Sequence, residues 1–77
     1  MSQFEISDEV KSQLLAERIS NLNREGYQHE LNLKSLESAG KTESQEAIFA
    51  RDSIEVIKEA IEIHKEELNN VILPSSN

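Results

Sequence analysis

Seventy-seven residues without cysteine or tryptophan, carrying a formal charge of −7, make at most one small domain and exclude both a disulfide framework and a thiolate metal site. At this length a single core rarely supplies more than ~3–5 kcal/mol without a staple, a metal or a second chain. The acidity disfavours nonspecific affinity for nucleic acid or anionic lipid, and no apolar run approaches the ~20 residues of a membrane span.

The first stretch, "MSQFEISDEV", has neither a basic start nor the apolar segment of an export signal, so the sequence reads as soluble and cytoplasmic. Residues 1–6 are expected to be flexible. A first helix is predicted over about 7–39, capped by Ser7, with Asp8 and Glu9 on the positive end of its dipole. Its apolar seam runs Leu15, Ile19, Leu22, Gly26, His29, Leu33, Leu36 in alternating steps of four and three. Gly26 in mid-helix costs ~1 kcal/mol relative to Ala. It either admits a neighbour closely or marks a kink.

The chain then breaks at "SAGKTESQ". Gly40 suits the left-handed residue just past a helix end, and Thr42 with Gln45 has the spacing of a capping box. A turn over 40–42 is predicted, short enough to fold the helices back antiparallel. The second helix is predicted over about 43–72, with the seam Ala47, Ala50, Ile54, Ile57, Ile61, His64, Leu68, Val71. Pro74 and the following "SSN" stop it and leave a flexible tail, 74–77. Strand-like alternation is missing. The fold class is therefore all-α: one hairpin domain over 7–73, coiled-coil-like, with facing residue numbers summing to about 83. In that register Leu36 meets Ala47, Gly26 meets Ile57 and Ile19 meets His64, large against small at several levels. Glu30 is expected near Arg51 and Arg18 near Glu67, as rim pairs worth a few tenths of a kcal/mol.

The seam leaves Phe49, Val56 and Ile63 unused. They recur every seven residues, with Ser53 and Ala60 between them, on a line roughly 120° around the helix from the seam. The helix 1 positions beside that line are polar: Asn21, Glu25, Gln28, Asn32 and Ser35. One helix cannot cover two faces, so the second stripe is expected to meet something else. Pairing of two hairpins into a four-helix bundle lets one patch cover itself, so a homodimer, another protein, or both are the expected partners. The plainer reading folds Phe4 or Ile6 over the stripe.

Asp52, Glu55, Glu59, Glu62 and Glu66 form an acidic rail on helix 2, with Arg51, Lys58 and Lys65 running beside it. Such a rail could imitate a phosphate backbone, but the solvated outer face of a small bundle is commonly acidic, and that reading is the stronger. His29 and His64 occupy seam positions. A carboxylate-bridged di-metal site needs Glu three residues before each His, and Gly26 and Ile61 stand there, so both read as half-buried packing residues. Tyr27 and Leu31, one turn apart on helix 1, form a small patch that a partner could use. No Gly-rich phosphate loop, no Cys nucleophile and no Ser/His/acid arrangement with a housing pocket is present.

The expected function is thus non-enzymatic. It is a small interaction module, an adaptor, assembly factor or inhibitor, that presents Phe49, Ser53, Val56, Ala60 and Ile63. No cofactor, metal, small-molecule substrate, membrane or direct nucleic-acid contact is implied. The alternative is an acidic mimic of nucleic acid acting through the rail. In size and acidity the chain resembles small accessory proteins of phages and mobile elements, a likeness of composition alone.

Overall fold

A computed structural model describes residues 4–72 of the chain. It is an all-α hairpin: α1 spans Asp8–Ser38, α2 spans Gln45–Ile72, and the two pack against each other. Met1–Gln3 of the expected flexible start and the whole tail from Pro74 lie outside the described residues.

Sequence dictates both ends of α1. The Ser7 hydroxyl accepts the amide proton of Val10 at 3.2 Å, satisfying one of the amides that a helix start leaves without a partner. At the other end Gly40 takes φ +75, a region where a Cβ is penalised. The Lys41 amide returns to the Leu36 carbonyl at 2.8 Å and the Gly40 amide to the Glu37 carbonyl at 3.0 Å. These two bonds make a Schellman C-cap.

The connection is longer than the predicted 40–42, and Thr42 does not cap α2. The Ser44 amide donates to the Lys41 carbonyl at 3.1 Å, so Thr42 and Glu43 are spent on a turn and α2 starts at Gln45 rather than 43. Ser44 is the cap: its hydroxyl accepts from the Ala47 amide at 3.2 Å and donates to the Lys41 carbonyl at 2.8 Å. Because non-helical residues 39–44 are centred where the shorter turn would have been, the register survives. An added Cβ on Gly26 would lie 3.5 Å from Ile57 Cγ2, so these two positions do face each other.

Every seam residue of α2 is buried or half-buried, and every seam residue of α1 is half-buried. Among the described residues the buried ones all lie on α2: Ala47, Ala50 and Ile57. Two alanines at 0% exposure beside the turn let the helices approach closely there, since small residues remove the bulk that holds axes apart. Arg51 fastens the same end. Its Nη2 donates to the Thr42 carbonyl at 2.7 Å and its Nη1 lies 3.9 Å from Glu37 Oε2. The expected pairing with Glu30 is therefore replaced by Glu37, because the guanidinium is drawn into the turn by a carbonyl that has no helical partner. The expected Arg18–Glu67 pair does not form: both side chains are long and exposed, and holding them together gains little.

The hairpin is a thin rod of 53 × 22 × 15 Å with a radius of gyration of 16.6 Å, against roughly 11.5 Å for a compact chain of this length. Its accessible surface is 6164 Å², where roughly 4,700 Å² is typical of a compact protein of this mass. A rod one hairpin thick cannot hide much from water. That shape makes the outward faces of α2 the informative part of the molecule.

Candidate docking face on α2

Phe49, Val56 and Ile63 are 66%, 64% and 62% exposed. Ser53 and Ala60, between them, are half-buried, so the line alternates large and protruding with small and recessed. Residues spaced four and three apart stack along one side of a helix. α1 leaves most of this side open, and Phe4 and Ile6 are themselves 71% and 38% exposed. The alternative in which the N-terminal residues fold over the stripe is not what the described residues adopt.

Beside the stripe runs an open groove of about 390 Å³, lined by Glu25, His29, Phe49, Asp52, Ser53, Val56 and Ile57. Its lining is mostly apolar, with one exposed carboxylate from each helix: Glu25 on α1 and Asp52 on α2. The His29 imidazole meets the Phe49 ring edge to face, with centroids 6.0 Å apart and planes at 72°, a favoured aromatic geometry. His29 thus reaches out of the seam and steadies the first residue of the stripe. Sequence spacing placed His29 in the seam and Phe49 on another face, and nothing in it signalled the contact; a ring long enough to bridge two adjacent faces makes it.

His64 behaves differently. Its Nδ1 lies 2.6 Å from the Ala60 carbonyl; a carbonyl can only accept, so Nδ1 carries the proton. His29 is thus engaged by a ring contact and His64 by a hydrogen bond to its own helix. Among the described residues, no group of three or more His, Asp and Glu is placed to hold a metal ion.

The acidic rail lies on the far edge of α2 from the seam, and all five of its residues are exposed. Two of the carboxylates have a lysine three residues on, with Glu55 at 3.5 Å from Lys58 and Glu62 at 4.0 Å from Lys65. Asp52 and Glu59 border the stripe itself. Tyr27 and Leu31, one turn apart, are 59% and 46% exposed and border different depressions. Tyr27 lines a furrow of about 330 Å³ with Gly26, Ile54, Lys58 and Ile61, while Leu31 borders a polar depression with Gln28, Asn32 and Ser35. Val10, Leu14 and Ile48, at 42%, 51% and 45% exposure, are further apolar side chains that periodicity alone left unassigned.

Fold and surface together define a two-helix all-α hairpin with one helix aliphatic on two sides. Among its described residues no helix is long and apolar enough to cross a membrane. Comparisons with protein-family models, with curated proteins and with solved structures find no match to this chain.

Proposed function

We propose that the protein is a non-enzymatic interaction module of the cytoplasm, an adaptor, assembly factor or inhibitor. It works through Phe49, Ser53, Val56, Ala60 and Ile63, by self-association or by binding another protein. The observation that carries this reading is the row of three large apolar side chains, each more than three-fifths exposed, on a regular helix. Burying one such side chain is worth ~1.5–3 kcal/mol, so covering three rivals the whole stability expected of a chain this small. A contiguous patch of that kind marks interaction sites on soluble proteins.

The test is solution mass by sedimentation, for the native chain and for Val56→Glu. Self-association predicts a native species of twice 8.7 kDa that the substitution halves; partner binding predicts a native monomer whose capture by its partner the substitution abolishes. A native monomer whose partner binding is indifferent to Val56→Glu would overturn the reading.

Mimicry of nucleic acid by the rail stands second. The two lysine-paired carboxylates blunt the field that a phosphate-like row would need. The two readings separate by salt: binding through the rail weakens steeply as ionic strength rises, whereas apolar docking does not.

A further inference from the structure

The border of the groove narrows the class of partner, granted that the stripe is a binding surface at all. Consider first a second copy of the chain. An antiparallel pairing of two α2 helices that seats large on small brings Phe49 against Ala60 of the other copy, and Ser53 against its Val56. In that pairing the two-fold symmetry also runs the edge that carries Asp52 and Glu59 beside the same edge of the other copy. Like charges so placed oppose association.

A four-helix bundle has a second requirement, that both helices of each hairpin turn apolar residues toward the common axis. On this side α1 offers Asn21, Glu25, Gln28, Asn32 and Ser35, every one polar and exposed. The apolar strip is one helix wide.

Both obstacles vanish for a single foreign helix of opposite charge. The strip has the three-four spacing that receives the aliphatic line of an amphipathic helix. The recessed Ser53 and Ala60 leave holes for that helix's larger side chains. Glu25 stands on one rim and Asp52 on the other, with Glu59 and Glu66 continuing the outer rim along α2. The bases of α2 are otherwise engaged: Arg51 is tied to Glu37 and the turn, Lys58 lines the furrow on the opposite side, and Lys65 lies 4.0 Å from Glu62. We infer that the groove between α1 and the Phe49–Ile63 stripe takes one amphipathic helix of another protein, with aliphatic residues at three-four spacing and Lys or Arg along its flanks.

Two synthetic helical peptides test this, identical in their leucine heptads but flanked by Lys in one and Glu in the other, titrated onto the full chain by fluorescence anisotropy. The Lys-flanked peptide should bind, and the Glu-flanked one about tenfold more weakly, the summed effect of several rim pairs. Asp52→Lys with Glu59→Lys should reverse the preference, whereas Glu9→Lys with Glu17→Lys, away from the groove, should leave it intact. Val56→Glu should abolish binding while far-UV circular dichroism stays native. Equal binding of both peptides, or Lys-peptide binding indifferent to Val56→Glu, would overturn the inference. A native dimer that Val56→Glu dissociates would also overturn it, by making a second copy the occupant, and would leave the interaction reading standing. A monomer that binds neither peptide would overturn the inference and leave the interaction reading to the solution-mass and partner-capture test.

Discussion

Val56 and Ile57 are neighbours in the chain, both β-branched, and differ in exposure as 64% to 8%. Each belongs to a mainly apolar line with the same seven-residue period, one facing α1 and one facing water. Residue type does not separate the two lines; the phase of each around the helix does. A hairpin has one interface, so whichever line points at α1 supplies the stability and the other is left for an external surface. The contrast extends to what fills the gaps. Ala47 and Ala50 in the seam are wholly buried, whereas Ser53 and Ala60 in the outer line are only half-buried.

The sharpest way to break this comparison is Ile57→Ala, which removes a buried side chain from a thin core. A loss of ~2–4 kcal/mol is expected, seen as a lower denaturant midpoint by circular dichroism. Because the whole stability of so small a chain is only several kcal/mol, a variant as stable as the native chain would show that the seam is not the core.

Next comes the turn. Ser44→Ala should cost ~1 kcal/mol through loss of the cap, while Thr42→Ala, whose backbone carbonyl still receives Arg51, should stay within ~0.5 kcal/mol. The reverse ranking would return the cap to Thr42. Gly26→Ala should stabilise by ~0.5–1 kcal/mol, since the new methyl would meet Ile57 at ordinary contact distance and Ala is the better helix former. Destabilisation there would mean that the helices need the glycine's closer approach. Smallest of all, Val56→Ser should change the unfolding free energy of the dilute chain by no more than ~0.5 kcal/mol. Set beside Ile57→Ala, it measures the difference between the two lines directly.

Much of the fold was legible because it is local. The four-three spacing from Leu15 to Leu36 and from Ala47 to Val71 names the residues that the structure withdraws from water. Ser7 and Gly40 announce the ends of α1 by the chemistry of caps. The start of α2 was harder. "KTES" offers two hydroxyl residues, and only the bond from the Ser44 amide to the Lys41 carbonyl decides between them. Arg51 illustrates the same difficulty: Glu30 and Glu37 are one helical step of seven apart and equally plausible by register. The Thr42 carbonyl, which spacing cannot rank, captures the guanidinium.

The candidate face divides in the same way. That Phe49, Val56 and Ile63 share a side distinct from the seam follows from the sequence, since helical phase is set by residue number alone. The sequence likewise determined two helices, the reversal between them and the facing of Gly26 and Ile57. Tertiary structure alone decided that residues 4–6 leave the stripe bare, that His29 leans out against Phe49, and that Glu25 and Asp52 rim one groove. The physical reason is range. Periodicity and caps act within a turn or two of chain, whereas exposure and side-chain partners depend on what distant segments bring within a few ångströms.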